Sequence, residues 1–353
     1  MSENPVLFES ANGLAHFVLN RPAALNALNA RMISDIARNL SNAMADASVR
    51  AVVLRSSSPR AFCAGGDVRA LVLDWREGVE DCVDYFGQEY TLDHEFYSTP
   101  KPVVSLLDSI TMGGGLGLAR GTTFRVVTER TRMAMPETRI GFFPDVGATH
   151  FLSRLPGHTG LYLGLTGTEV GPRDALYCGF ANYQVASDDL PALLEALDTL
   201  EWTGNARADL VRLLEGFRVP ESSEPAPLEQ LSPAIEAHFS KGSVLAIRDS
   251  LRDVTSGPLA DWAGECLERL EACSPLALVV THELWTRGRE MPLADCFALE
   301  EYLARQWLEG GEMVEGVRAL LIDKDRTPRW SPPTLEALDP ARVAAFFEGF
   351  SAG

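Results

Sequence analysis

The chain has 353 residues, 46% apolar and 23% charged, a balance that supports a sizeable core in one large domain or two and excludes disorder or a stapled mini-fold. With 49 acidic against 31 basic residues the formal charge is -18, which argues against a nucleic-acid or anionic-membrane surface, because neutralising phosphates needs clustered Lys and Arg. Six cysteines without a Cys-x-x-Cys pair or zinc-spaced histidines imply free thiols in a reducing compartment and no metal. The opening residues MSENPVLFES have neither signal-peptide nor transit-peptide character, and no apolar run is long enough to cross a bilayer, so a cytoplasmic location is expected.

Residues 5–9 and 14–19 alternate as strands, and Asn12-Gly13 between them predicts a hairpin turn. From the N-cap candidate Asn29, apolar residues at 32, 33, 36, 40 and 44 predict a helix, followed by a buried strand at 51–54. Further short strands are expected at 103–107, 124–127 and 132–134, an alternation that indicates an α/β fold. Beyond residue 164 strand signals fade, and helical periodicity runs through 190–200, 206–217, 259–272, 277–287 and 293–308, with a proline-rich loop at 219–227.

Two glycine-rich segments follow strands and should each open a helix: Ala61-Phe-Cys-Ala-Gly-Gly-Asp67 and Met112-Gly-Gly-Gly-Leu-Gly117. A helix start leaves backbone N–H groups unpaired, and glycine lets a ligand come close to them. One amide from each segment could hold a carbonyl oxygen as it becomes anionic, a contribution of about 3 kcal/mol per donor. On spacing alone, close helix packing explains the same glycines equally well.

The pair of segments resembles the enoyl-CoA hydratase/isomerase (crotonase) superfamily. The resemblance implies a spiral of β-β-α units over residues 1–200, followed by a helical region, 201–353, that completes a coenzyme A site. It also implies oxyanion donors at Ala64 and Gly114. Hydratases of the family carry one glutamate three residues after the second donor and another in the next strand-turn. Here the first position is Gly117 and the second is Glu137, so water addition by a carboxylate pair is in doubt. A carboxylate stands instead at Asp145. The segment Met135-Pro-Glu-Thr-Arg-Ile-Gly-Phe-Phe-Pro-Asp-Val-Gly147, with Gly65-Gly-Asp-Val-Arg69, Gly87-Gln-Glu-Tyr-Thr91 and Glu315-Gly-Val-Arg-Ala-Leu-Leu-Ile-Asp-Lys-Asp325, resembles the 3-hydroxyisobutyryl-CoA hydrolase branch from about residue 5 to 335.

That branch implies thioester hydrolysis in valine breakdown, with acyl-CoA as substrate and no separate cofactor. Glu137 would attack the thioester as nucleophile or activate water as general base, two routes that residue identity leaves open. Asp145 and Glu89 would contact the substrate, Asp145 by accepting a hydrogen bond from its 3-hydroxyl. The CoA contacts implied are Arg21, Asn26, Ala64, Asp67 and Lys324, with Arg69 as a further basic candidate; Asp67 equally suits a plain helix start. Lys324 stands out because Lys101 and Lys241 are the only other lysines. No serine-hydrolase motif is present; of the histidines, His150 lies nearest the Asp145 turn. A homo-oligomer is open. The rivals are an isomerase or hydratase using one carboxylate, and a non-catalytic scaffold or RNA-associated relative.

Overall fold

A computed structural model describes residues 4–79, 82–220 and 222–351. Strands β1 (Val6–Ala11) and β2 (Leu14–Leu19) form the expected hairpin, with Asn12 and Gly13 both at positive φ. The Asn29 side chain accepts from Met32 N–H at 2.9 Å and opens α1 (Ala30–Ala45), whose buried stripe is Met32, Ile33, Ile36 and Leu40. There follow β3 (Ala51–Ser56), β4 (Ala61–Cys63), α2 (Val68–Arg76), α3 (Asp84–Tyr97), β5 (Val103–Leu107), β6 (Ile110–Met112), α4 (Gly114–Arg120), β7 (Phe124–Val127) and β8 (Arg132–Ala134). Both glycine-rich segments do open helices, α2 and α4. The later chain comprises α5 (Ala148–Leu152), α6 (Thr159–Thr166), α7 (Pro172–Tyr177), β9 (Tyr183–Gln184), α8 (Leu190–Asp198), α9 (Ala206–Glu215), α10 (Pro227–Phe239), α11 (Val244–Arg252), α12 (Ala260–Ala272), α13 (Pro275–Gly288), α14 (Leu293–Gly310), α15 (Met313–Val317) and α16 (Pro340–Phe347). Strand β9 was not expected, since two residues carry no readable periodicity; it is recruited by β7, where Val126 pairs with Tyr183.

The chain forms two compact units, each assembled from separated stretches. The first takes the described parts of 1–66, 91–133 and 170–227. Its main sheet has the order β1-β2-β3-β5-β7-β9 and is parallel from β2 onward. Parallel strands covered on both faces need unbroken apolar sequence, and Val52, Val53 and Leu54 of β3 are accordingly fully buried. On one face Leu14, Val53, Val104, Phe124 and Val126 join Leu193 and Leu197 of α8 and Leu210 and Leu214 of α9 in one apolar cluster. A smaller sheet has the order β4-β6-β8.

The second unit takes the described parts of 67–90, 134–169 and 228–353 and is helical. Its aromatic centre stacks Phe142 on Phe143 with ring centroids 4.3 Å apart, sets Trp307 edge-on to Phe143 at 5.0 Å, and adds Phe86 and Phe346.

Candidate active site

In the first unit the loop before α1 is fastened to β4 by Asn26. This side chain is fully buried; its Oδ1 accepts from Arg21 N–H at 2.8 Å, and its Nδ2 donates to Ser56 Oγ at 2.7 Å and Phe62 O at 3.0 Å. The fastening brings Leu25 to the end of β4, where its carbonyl accepts from Ala64 N–H at 3.0 Å. Ala64 is therefore corrected as an oxyanion donor, because its amide is spent inside the fold. Two residues on, the geometry reverses. Leu28 bridges Gly66 in parallel fashion, and Leu28 N–H goes to Gly65 O at 2.8 Å. In such a bridge the residues flanking the central one make the bonds, so Gly66's own N–H faces away from Leu28, and it has no acceptor among the described residues.

Gly65, at φ +111, is where this turn meets the start of α4: a Cβ there would lie 3.3 Å from Met112 O and 3.7 Å from Gly114 N. Gly114, the first residue of α4, has one of the N–H groups that a helix start leaves without an intrahelical acceptor. Gly115 serves the other purpose considered for these glycines, since a Cβ on it would sit 2.4 Å from Cys63 O. Access and packing thus fall to adjacent residues of one triplet.

In the second unit three expected carboxylates are buried: Glu89 on α3, Glu137 in the short turn after β8, and Asp145 before α5. Asp145 Oδ2 accepts from the Tyr90 hydroxyl at 2.6 Å. Glu137 Oε2 and Glu89 Oε1 are buried with no hydrogen-bond partner among the described residues. Burial, then the Asp145 charge, pushes Glu137 well above the carboxylate range and Glu89 up to about 8. Asp145 is raised to about 7 by burial, against the opposing Tyr90 hydrogen bond. Tyr90 stays protonated, because burial and the nearby acids raise it further above its ordinary value. Glu89 and Asp145 are thus held near neutrality and Glu137 above its ordinary range, and the uncommitted oxygen of Glu137 can act as nucleophile or base.

A fourth buried acid was not foreseen. Glu300 of α14 accepts from Gly147 N–H at 2.7 Å and Thr149 N–H at 2.8 Å. The sequence did hold a signal: Glu300 falls among Phe297, Leu303, Ala304 and Trp307 on the apolar stripe of its helix. Trp307 of the same stripe donates from Nε1 to Gly141 O at 2.7 Å, so α14 anchors the segment bearing Glu137 and Asp145 at one further point. Gly117, where a hydratase would carry its first glutamate, lies buried in α4.

The expected CoA contacts divide. Arg21 donates from its guanidinium to Ala27 O and Asn26 is wholly engaged, so these side chains hold the loop's shape. Asp67 caps α2 by accepting from Ala70 N–H at 3.3 Å. Lys324 is exposed, on left-handed backbone at φ +58. Its neighbours Asp323 and Asp325 both bind Arg318 Nη1, at 2.7 and 2.6 Å, and Glu315 holds the guanidinium's other nitrogens. The motif at 315–325 is thus an ion-pair knot that leaves the lysine facing outward. Lys101 is committed to Ala43 O at 2.7 Å.

Short strands that lead through glycine turns into helices, with free turn amides in one unit and buried acids of raised pKa in the other, define an α/β protein of the crotonase type. The chain matches the enoyl-CoA hydratase/isomerase family over residues 14–347 and belongs to that family. It is 39% identical over 351 residues to the small ribosomal subunit protein mS47 of Neurospora crassa, covering 95% of this chain and 69% of that one. It is 38% identical to a mitochondrial 3-hydroxyisobutyryl-CoA hydrolase of Danio rerio, covering 97% and 89%. Among solved structures it superposes on a carnitinyl-CoA dehydratase from Mycobacterium thermoresistibile with TM-score 0.88 at 34% identity, over 99% and 97% of the two chains. An enoyl-CoA hydratase from Rhodobacter sphaeroides gives 0.87 at 37%, over 98% and 97%. The fold is the crotonase fold.

Proposed function

We propose that the protein hydrolyses the thioester of 3-hydroxyisobutyryl-CoA to 3-hydroxyisobutyrate and CoA, a step of valine breakdown. The observation that carries this reading is Glu137, buried, with an unpartnered oxygen and held above the carboxylate range by burial, in a chain that has glycine at 117 where water addition needs a second acid. Glu137 attacks the thioester carbonyl, or takes a proton from a water that attacks it. The amides of Gly66 and Gly114 receive the developing oxyanion. The thiolate of CoA leaves and is protonated; on the nucleophilic route, water then opens the acyl-glutamyl anhydride. Asp145, with one oxygen held by Tyr90, accepts from the 3-hydroxyl of the substrate, and Glu89 lines the acyl group. Lys324 is the basic residue proposed for the CoA phosphates. A cytoplasmic location is part of the same reading, supported by the six free cysteines.

The test is thiol release from 3-hydroxyisobutyryl-CoA. Wild type should release CoA stoichiometrically with acid, and Glu137→Gln should be slower by ~10²–10⁴-fold. Full activity in Glu137→Gln, or loss of enoyl absorbance from an unsaturated acyl-CoA without thiol release, would refute hydrolysis by this residue. The likeness to mS47 supports a second reading, a non-catalytic component of a ribonucleoprotein. The charge of -18 speaks against it, and calorimetric binding of a short acyl-CoA would remove it.

A further inference from the structure

The turn that carries Asp145 has an unfavourable backbone, held from a distant part of the chain. Val146 lies at φ +54, a left-handed conformation that is unfavourable for a β-branched residue. Gly147 follows at φ +86, where a side chain is strained and a Cβ would meet the Phe297 ring at 2.9 Å. Consecutive left-handed residues turn the chain into α5 with no side-chain cap from the N-cap residue itself. The exposed ends of that turn are taken up by Glu300, fully buried on α14, with one oxygen on Gly147 N–H and the other on Thr149 N–H. A carboxylate offers two acceptors side by side, which suits this pair of donors; a glutamine would set an amide nitrogen against one of them.

We propose that Glu300 is a positioning residue for substrate selectivity: by gripping both amides it fixes the Asp145 carboxylate where a 3-hydroxyl can donate to it. The inference rests on the reading that Asp145 binds that hydroxyl. Asp145 is then fixed from two sides, by Tyr90 on its carboxylate and by Glu300 on the backbone two and four residues further on. A group that only stabilised α5 would, when altered, slow every acyl-CoA alike. A positioning group changes the ratio between substrates.

The experiment measures kcat/KM for 3-hydroxyisobutyryl-CoA and for isobutyryl-CoA, which lacks the hydroxyl, in wild type, Glu300→Gln and Glu300→Asp. Glu300→Gln should lower the preference for the hydroxylated substrate by about 10-fold or more, the scale of one buried hydrogen bond to a charged group, while turnover of isobutyryl-CoA changes little. Glu300→Asp, which keeps the carboxylate but is one carbon too short to hold both amides, should move the ratio in the same direction and covers the case in which Glu300→Gln does not fold; near-UV circular dichroism reports folding for each. A wild-type preference that persists unchanged in a folded variant overturns the proposal for Glu300 alone. A wild type that hydrolyses both substrates with no preference instead overturns the reading of Asp145, and this inference with it.

Discussion

Replacing Glu89 with glutamine should stabilise the protein at alkaline pH and leave it almost unchanged near pH 5. Burial, with the Asp145 charge second, raises Glu89 from 4.5 to about 8 in the folded protein. The unfolded chain releases this proton near the ordinary value. Between the two, the folded state holds a proton that the unfolded state has lost, so stability falls as pH rises, by up to about 1.4 kcal/mol per pH unit. The contribution is complete below about 4.5 and gone above about 8. That window sets a ceiling of ~5 kcal/mol. Because part of the shift is repulsion shared with Asp145, and glutamine alters the contact with Tyr85, a net effect of ~2 kcal/mol is expected at alkaline pH. The assay is urea unfolding of both proteins at steps from about pH 5 to 9, followed by tryptophan fluorescence. The curves should diverge as pH rises. Parallel curves would refute the argument, since they would mean that Glu89 is ionised and solvated in the folded state.

Tyr90→Phe removes the hydrogen bond that lowers Asp145, so the pH at which preference for a 3-hydroxyl appears should move upward from about 7, seen in the pH profile of the kcat/KM ratio. Gly115→Ala places a methyl 2.4 Å from the Cys63 carbonyl, and the parting of α4 from β4 should cost about 1–3 kcal/mol, read as a lowered thermal midpoint. Asn26→Ala leaves Arg21 N–H and the Phe62 carbonyl without their buried partner; a loss of about 3 kcal/mol in urea unfolding is expected, even though this residue lies in a loop.

The hairpin, the first helix and the later helices were legible because each is written in local periodicity and caps: Asn12-Gly13, Asn29, and the apolar stripes. Glu137 and Asp145 were legible as motif residues, and the fold buries both and raises both carboxyls. Ala64 failed for a reason that no motif displays. Its amide is consumed by Leu25, and only the pairing of β4 with the Asn26 loop decides that Gly66, rather than Ala64, keeps a free N–H. Glu300 was passed over because a single acid in an apolar stripe has no partner in sequence; its partners lie more than 150 residues away. Of the basic candidates, Arg21 turned out differently because its guanidinium holds the Ala27 carbonyl of its own loop.

Phe297, Glu300 and Trp307 act on the 137–147 segment from one helix, at intervals of three and seven residues, close to one and two turns. Such a ruler tolerates no change of length: inserting or deleting a residue between Phe297 and Trp307 would rotate one grip by about 100° away from the others. The helix and the segment therefore form one mechanical unit. Grafting the Glu-to-Asp segment into a shorter chain that has no counterpart of α14 would carry over both acids without the restraint that gives them their setting, and the graft would need α14 with it.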